Sequence, residues 1–287
     1  MDVLAVLVQI LIIIIAPLAV GFSTGLDRKL TARLQNRKGP PVVQPFYDLG
    51  KLLSKRPLLI NDLQVVFAGA ALLFQAAAFA LFVAGGDLLV AFFVSGVGAL
   101  CLVMGAFSAR SPYSYIGGQR ELLAILAYEP VLLIAVLAIG LESSLLVANI
   151  GGGLLYTIPL ALLALVPVLV ILLEKSPYDV PTAHQEIMSG PYAEYSGPYL
   201  AIMEVARWVQ LAFVYGIATL FVWNEDPVIS LALKLVLVLV LLLVTIVIDN
   251  ITSRLTRERM VRFTLIAGLG LVAINLLVLF IVRQGVF

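Results

Sequence analysis

Long, uninterrupted apolar runs constrain this chain more than any other feature of its sequence. LVQILIIIIAPLAV near the start and VISLALKLVLVLVLLLVTIVI in the last quarter approach or exceed the roughly 20 apolar residues that a helix needs to cross a hydrocarbon core about 30 Å thick. Lipid offers no partner for a free backbone amide, and the runs are too long for barrel strands, so each span must be a helix. The sequence therefore predicts an all-α integral membrane protein.

The chain contains eight such apolar runs. Its composition argues against the alternative, a soluble protein with a large apolar core. The chain is 62% hydrophobic and only 12% charged, whereas soluble domains are nearer half apolar and about a quarter charged. We predict one polytopic domain over residues 1–287. Its predicted spans lie near residues 3–22, 63–84, 88–108, 121–140, 154–173, 202–223, 228–248 and 263–282.

Positive charge is distributed unevenly between the two sides of this predicted bundle. All of the 18 Lys and Arg residues except Lys234 and Arg283 fall in or beside the odd-numbered connections. Because cytoplasmic loops of membrane proteins carry the excess of Lys and Arg, the odd-numbered connections are predicted to be cytoplasmic and both termini to be outside. The first span is not predicted to be a secretory signal, since Asp2 stands where positive charge is expected.

The residues that bind metals and redox groups are almost absent. The chain has one cysteine, Cys101, and one histidine, His184, whereas iron–sulfur clusters and structural zinc need several such ligands at close spacing. No glycine-rich nucleotide motif stands between a strand and a helix. We predict no metal or redox cofactor in this chain and no nucleic-acid partner.

The first cytoplasmic connection, RKLTARLQNRKGPPVVQPFYDLGKLLSKRP, predicts an amphipathic helix lying in the headgroup plane. After the Gly39–Pro41 break, one helical face is mostly apolar and the opposite face is charged. The apolar face comprises Val43, Phe46, Tyr47, Leu49, Gly50 and Leu53, and the charged face Asp48, Lys51 and Lys55. Two interpretations remain open. The connection is either a membrane-surface anchor or a docking surface for a cytoplasmic subunit, which would be held by Arg33, Arg37 and Lys38.

The fifth connection, EKSPYDVPTAHQEIMSGPYAEYSG, contains four carboxylates, on Glu174, Asp179, Glu186 and Glu194. Carboxylates this dense near a low dielectric raise one another's pKa towards neutrality. We predict that these groups collect protons, with the tyrosines of the loop as polar relays. A merely solvated acidic loop is the alternative.

Charged residues also occur inside the predicted spans. A charge near the bilayer centre costs roughly 2.5–3.5 kcal/mol on insertion scales, so Glu129 should face the bundle interior, either on an ion path or paired with an arginine. Glu121 is expected near the interface at the start of the same helix, either as a solvated helix start or as part of the ion path. Glu204 is predicted to continue the path inward between the fourth and sixth spans, although Glu204 and Arg207 are also spaced to neutralise each other. Lys234 either snorkels outward or marks an ion path.

Four motifs in order resemble one family. They are RLQNRKGPPVVQPFYDLGKLL, GAFSARSPYSYIGGQRELLAILAYEP, the acidic fifth connection and SRLTRERMVRF. Together they resemble the subunit 1 family of respiratory NADH dehydrogenase (complex I), nearest to its relatives in energy-converting membrane-bound nickel–iron hydrogenases and formate hydrogenlyase.

This resemblance implies a membrane-arm subunit, in a prokaryotic cell membrane, that joins a peripheral redox arm to ion-pumping subunits. The implied partners are hydrogenase-like large and small subunits, iron–sulfur subunits and antiporter-like membrane subunits, and the iron–sulfur clusters and nickel–iron centre lie in those partners. The family's functional acids match Glu129 and the loop acids Glu174, Asp179, Glu186 and Glu194. Its basic residue before the fourth span matches Arg120.

Departures from the quinone-dependent members favour the hydrogenase branch. Thr182 and His184 stand where those members usually have acids, and Glu204 lies one turn before the usual acid position, which Arg207 fills. Three alternatives remain: a quinone-binding subunit with a chamber between the first span and the loops, a passive anchor, and a stand-alone secondary transporter. The transporter would be expected to have inverted repeats or a helix broken at the midplane, and Glu129 argues against the anchor.

Overall fold

Helices account for nearly all of the regular structure. The computed structural model describes residues 3–58 and 61–283, and within these ranges there is no β-strand beyond one isolated bridge, between Asp87 and Leu146. The helices are α1 Val3–Leu34, α2 Gln44–Ser54, α3 Asp62–Val83, α4 Leu88–Ser108, α5 Pro112–Glu142, α6 Leu154–Thr157, α7 Pro159–Leu172, α8 His184–Ile187, α9 Pro198–Thr219, α10 Pro227–Ile251 and α11 Arg257–Arg283.

Seven of these helices, α1, α3, α4, α5, α9, α10 and α11, are long and apolar enough to cross a membrane. They coincide with seven of the eight predicted spans and confirm the all-α integral membrane class. The eighth, α7, is apolar but has only 14 residues, about 21 Å of helix.

The fifth span is broken, which corrects the prediction of a continuous helix over residues 154–173. The chain leaves the helical conformation at Ile158, and Pro159 begins α7. The break is bridged from α11, where the Asn275 side chain accepts a hydrogen bond from Leu160 N at 2.8 Å and donates one to the Thr157 carbonyl at 3.1 Å. The first N–H groups of a helix have no partner within that helix, and here the side-chain amide of the distant Asn275 provides one.

Two other helices, α1 and α5, extend furthest beyond their predicted bounds. The first helix continues past Phe22 to Leu34, so Arg28 and Arg33 belong to α1 rather than to a loop. The fourth span begins at Pro112, with proline at the first position, where its missing N–H costs nothing. Glu121 consequently lies more than two turns inside α5 instead of at its start.

The bundle has two distinct ends, held by different contacts. At the loop end, where α1, α7 and α10 finish, Lys175 pairs with Asp27 and Asp249. At the opposite end, Arg283 of α11 pairs with Glu142 of α5 at 2.8 Å. The acidic fifth connection and α2 both lie at the loop end.

The amphipathic helix α2 is present and packs against α1 and α9. Phe46 lies between Phe22 and Trp208, with ring centroids 4.7 and 5.4 Å away. Gly25 permits this approach, because an added Cβ would lie 1.8 Å from the Val42 carbonyl oxygen. Tyr47 and Leu53, which belong to the predicted apolar face, are exposed on α2.

Candidate functional site

Glu174 owes its position to the way α7 ends. Its φ is +54°, and the hydrogen bonds from Glu174 N to Ile171 O and from Lys175 N to Val170 O make the Schellman turn that usually carries glycine. A non-glycine residue in this conformation costs about 1 kcal/mol or more and is often found at functional sites. The turn brings the Glu174 carboxylate back against the bundle.

The Glu174 carboxylate meets a guanidinium inside the bundle. Its Oε2 lies 3.2 Å from Arg207 Nη1, and Arg207 also donates to the Leu173 carbonyl at 3.3 Å. Burial raises the pKa of Glu174, and the charge of Arg207 offsets part of that rise. Glu204 is 3.9 Å from Arg207 and accepts a hydrogen bond from Trp208 Nε1 at 3.1 Å.

Glu121 shares a small internal cavity with this pair. The cavity has a volume of about 30 Å³ and is lined by Glu121, Glu174, Arg207, Tyr128 and Gln210 among others. That is room for about two water molecules, with enough polar groups to hold them. Tyr192 of the loop also lines this cavity. Burial keeps the pKa of Tyr192 well above its ordinary value, so its phenol stays neutral.

A second cavity, of about 10 Å³, lies deeper and contains Glu129. Glu129 stands eight residues after Glu121 on α5, about 12 Å along the helix axis. The α4 backbone comes close here because Gly96 has no side chain, and an added Cβ would lie 2.8 Å from Glu129 Oε1. Within residues 3–58 and 61–283 no ion pair to Glu129 occurs, so the arginine-paired alternative is not what the structure has.

Two hydrogen-bonded pairs of side chains lie between the two cavities. Gln210 Nε2 donates to Tyr128 Oη at 3.2 Å, and both residues line the two cavities. Ser95 Oγ donates to Gln75 Oε1 at 2.8 Å. Gln75 lines the cavity of Glu121, and Ser95 lines the cavity of Glu129. These four residues were not predicted from the sequence. The available signal was an uncharged amide within each of two apolar helices, since polar side chains within spans usually face a bundle interior.

Glu186 lies elsewhere, on the surface of the loop end. It pairs with Arg120 at 2.7 Å and with Arg254 at 3.2 Å, and about half of its side chain is exposed. The hydrogen bond from Arg120 holds the pKa of Glu186 below its ordinary value. The predicted rise in pKa is therefore wrong for Glu186, because arginines rather than carboxylates surround it.

The remaining predicted residues are scattered. Asp179 accepts a hydrogen bond from Thr182 at 3.2 Å, and neither Asp179 nor Glu194 lines the cavities around Glu121 and Glu129. Lys234 lies on α10 among exposed apolar side chains such as Leu233 and Leu235. The side chain of His184 lies outside the described part of the chain.

The predicted docking residues Arg33, Arg37 and Lys38 are all exposed at the loop end. Arg33 is in the last turn of α1, and Arg37 donates to Gln35 just beyond it. These side chains are free to meet another surface.

A buried ion triad close to them was not anticipated from the sequence. Lys175 Nζ lies 2.8 Å from Asp27 and 2.9 Å from Asp249, and all three side chains are largely buried. Asp249 also accepts from Ser176 N at 3.0 Å. The triad fastens the start of the acidic loop to α1 and α10, immediately after Glu174.

Metal ligands are not grouped in the described part of the chain, where no three His, Cys, Asp or Glu side chains are arranged to hold an ion. The polar groups of the site instead form an alternating series of carboxyl, phenol and amide groups. Such a series can move a proton or bind a small cation.

Comparison with known proteins gives consistent matches. A family model described as NADH dehydrogenase matches residues 7–280. NADH-ubiquinone oxidoreductase chain 1 of Mytilus edulis is 30% identical over 252 residues, covering 78% of this chain and 82% of that protein. Hydrogenase-4 component C of Escherichia coli (strain K12) is 29% identical over 204 residues, so the chain spans 64% of that relative's length.

A solved structure has the same architecture. It is described as the membrane-bound sulfane sulfur reductase, an archaeal respiratory membrane complex. One of its chains matches with a TM-score of 0.81 and 27% identity, covering 96% of this chain and 99% of that one. The relatives are thus membrane subunits of complex I-like and hydrogenase-type respiratory complexes, as the four motifs predicted.

Proposed function

The chain belongs to the NADH dehydrogenase family, whose members here are membrane subunits of respiratory complexes, and from this premise we propose that it couples redox chemistry in partner subunits to ion movement. The proposed path begins at Glu174 and Glu121 and continues inward to Glu129. The ion carried is a proton or a sodium ion. The redox centres, iron–sulfur clusters and a nickel–iron site, belong to the partners.

One observation carries this proposal: the two polar cavities share Tyr128 and Gln210. Glu121 lies on one side of this pair and Glu129 on the other, so polar groups extend without a break from the acidic loop to the middle of α5. An apolar bundle has no packing reason to keep four hydrogen-bonded polar side chains between two carboxylates.

The chemistry follows from the positions of the charges. Arg207 holds Glu174 in place and favours its ionised form, while burial favours the protonated form. Opposing effects of this kind suit a carboxyl that exchanges its proton readily. Glu204 would deliver protons from the side of Trp208. Asp179, Glu186 and Glu194 would collect protons at the surface of the acidic loop.

We also propose how the subunit sits in its complex. The exposed group Arg33, Arg37 and Lys38 would dock the peripheral hydrogenase-like and iron–sulfur subunits, and antiporter-like subunits would adjoin the bundle laterally. The distribution of basic residues supports a loop end facing the cytoplasm and both termini outside the prokaryotic cell membrane. Lys234 would face one of the lateral partners or snorkel outward.

The quinone alternative has less support. Phe22, Phe46 and Trp208 pack against one another between α1, α2 and α9, where a chamber between the first span and the loops would lie. The sulfane sulfur reductase match favours a second candidate within the same class, a complex that reduces sulfur compounds. In that case the partners differ and the ion path through this chain stays the same.

The decisive variant is Glu129→Gln, which keeps the shape and the hydrogen-bonding capacity of the side chain but cannot ionise. We expect the complex to assemble and to transfer electrons to an artificial acceptor in detergent. Ion pumping by sealed vesicles should fall by about a hundredfold or more, the scale of a lost acid–base group. Assembly, electron transfer and gradient formation are measured in one preparation.

Glu225→Gln is the matched control, because Glu225 is an exposed acid at the opposite end of the bundle. It should pump like the parent. Normal pumping by Glu129→Gln would refute the path, whereas loss of electron transfer in that variant would indicate damage to assembly instead.

A further inference from the structure

A cleft open to the membrane lies between α7, α10 and α11, on the side of the bundle away from the proposed ion path. Its volume is about 810 Å³, within the range of small-molecule binding sites. Its walls include Val170, Val244, Ile248, Phe263 and Ala267.

An open pocket of about 440 Å³ lies beside this cleft, at the loop end. It is lined by Arg120, Arg254, Arg257 and Glu186. Three guanidinium groups thus face one carboxylate, which leaves an excess of positive charge. Leu255 lines both the pocket and the cleft, so the two are neighbours. The N-terminus of α11, at Arg257, adds the positive end of a helix dipole.

Arg120 is the buried member of this arginine group. Arg120 is 7% exposed, and its Nη1 atom serves Glu186 and the Val180 carbonyl. Its Nε, however, is buried without a hydrogen-bond partner among the described residues. This atom is enclosed by the protein, so it is the excess positive charge of the pocket, rather than this donor, that points to an anionic ligand.

We propose that the cleft and the basic pocket together bind an anionic phospholipid, with an acyl chain between α7, α10 and α11 and the phosphate on Arg254, Arg257 and Arg120. The geometry fits the bilayer: the pocket is level with the α10–α11 connection, at the loop end. The cleft descends about 10 Å along α10 from Ile251 to Val244, within one leaflet. A neutral amphiphile would leave the excess charge unmatched, and a soluble anion would leave the cleft uncovered.

The site also touches the acidic loop. Glu186 pairs with two of the three arginines that the phosphate would use, Arg120 and Arg254, so lipid binding would loosen the hold of α5 and the α10–α11 connection on Glu186. The lipid would thereby act on α8, which contains Glu186, independently of Glu129.

The test uses the full chain with its co-assembled subunits, reconstituted in phosphatidylcholine vesicles doped with phosphatidylglycerol that carries a photoactivatable acyl chain. Crosslinks should map to α10 and α11 around Ile248 and Phe263. Because each basic residue contributes about 1 kcal/mol to anionic-lipid attraction, Arg254→Gln with Arg257→Gln should lower the crosslink yield roughly tenfold or more. Ala267→Leu, which narrows the cleft without removing charge, should also lower it.

Two controls match these variants. Arg262→Gln removes an exposed arginine of α11 that does not line the pocket, and Ala273→Leu enlarges an exposed residue of the same helix outside the cleft. Neither should change the yield. The proposal is overturned by equal labelling with a photoactivatable phosphatidylcholine, by crosslinks spread evenly around the bundle, or by a cleft that is protected because a partner subunit covers it.

Discussion

Two glutamates of the same loop, twelve residues apart, have opposite electrostatic surroundings. Glu174 is held inside by a left-handed turn and shares a cavity with Glu121. Glu186 is on the surface between two arginines. Burial raises the pKa of the first, and the hydrogen bond from Arg120 lowers the pKa of the second. The loop is therefore not a uniform reservoir of acids, and its members have different capacities to hold a proton.

This contrast predicts a pH dependence for each group. The pKa of Glu174 lies above its ordinary value of 4.5. The stability that its protonation contributes is therefore fully present below pH 4.5 and is lost as the pH rises through the raised pKa. Glu186 behaves oppositely: its ion pairs stabilise the fold above 4.5 and weaken as the pH falls through the lowered pKa. Infrared difference spectra of the carboxyl band should lose a component above 4.5 in Glu174→Gln and one below 4.5 in Glu186→Gln. Two components that both titrate at 4.5 would contradict the assignment.

At the scale of elements, the backbone of the acidic loop packs directly against the backbone of α5. Gly117 of α5 faces the segment at Gly190, and a Cβ added there would lie 2.3 Å from the Gly190 carbonyl carbon. The backbone of one element thus rests directly on that of another. Together with the Lys175 ion triad, this contact fixes both halves of the loop.

Gly117→Ala should therefore displace the loop, at a cost of about 1–3 kcal/mol, the usual range for overpacking. The expected results are a lower thermal unfolding midpoint in detergent and faster proteolysis within the acidic loop. Gly69→Ala is the control, because Gly69 lies in α3 with nothing within 4 Å of the added Cβ. It should be neutral or slightly stabilising, since alanine favours helices over glycine. Equal unfolding midpoints for both variants would show that the loop is not seated in this way.

At the scale of the whole molecule, the two ends of the bundle differ in charge and in complexity. The loop end contains the acidic loop, α2, the ion triad and the exposed basic residues. The opposite end has short links and the Arg283–Glu142 pair. The candidate functional groups therefore lie at the loop end, and the orientation of the protein in the membrane decides which compartment supplies the ion.

Orientation is testable with single cysteines in a Cys101→Ala background. Lys38→Cys and Thr256→Cys place exposed thiols at the loop end, and Glu225→Cys places one at the opposite end. With the loop end in the cytoplasm, an impermeant maleimide should label only Glu225→Cys in intact cells, and all three after permeabilisation. The reverse pattern in intact cells would invert the topology and the direction of the path.

The sequence by itself determined the membrane class, seven of the spans and the family, because the length of an apolar run and the order of motifs are local properties. It also made Glu129 and Glu174 candidates for an ion path, which stays a prediction. Only the tertiary structure decided which polar groups meet. Tyr128 and Gln210 touch because of the register between α5 and α9, and Glu121 lines the same cavity two turns before Tyr128. Such registers are set by packing between helices far apart in the chain, which no local pattern encodes.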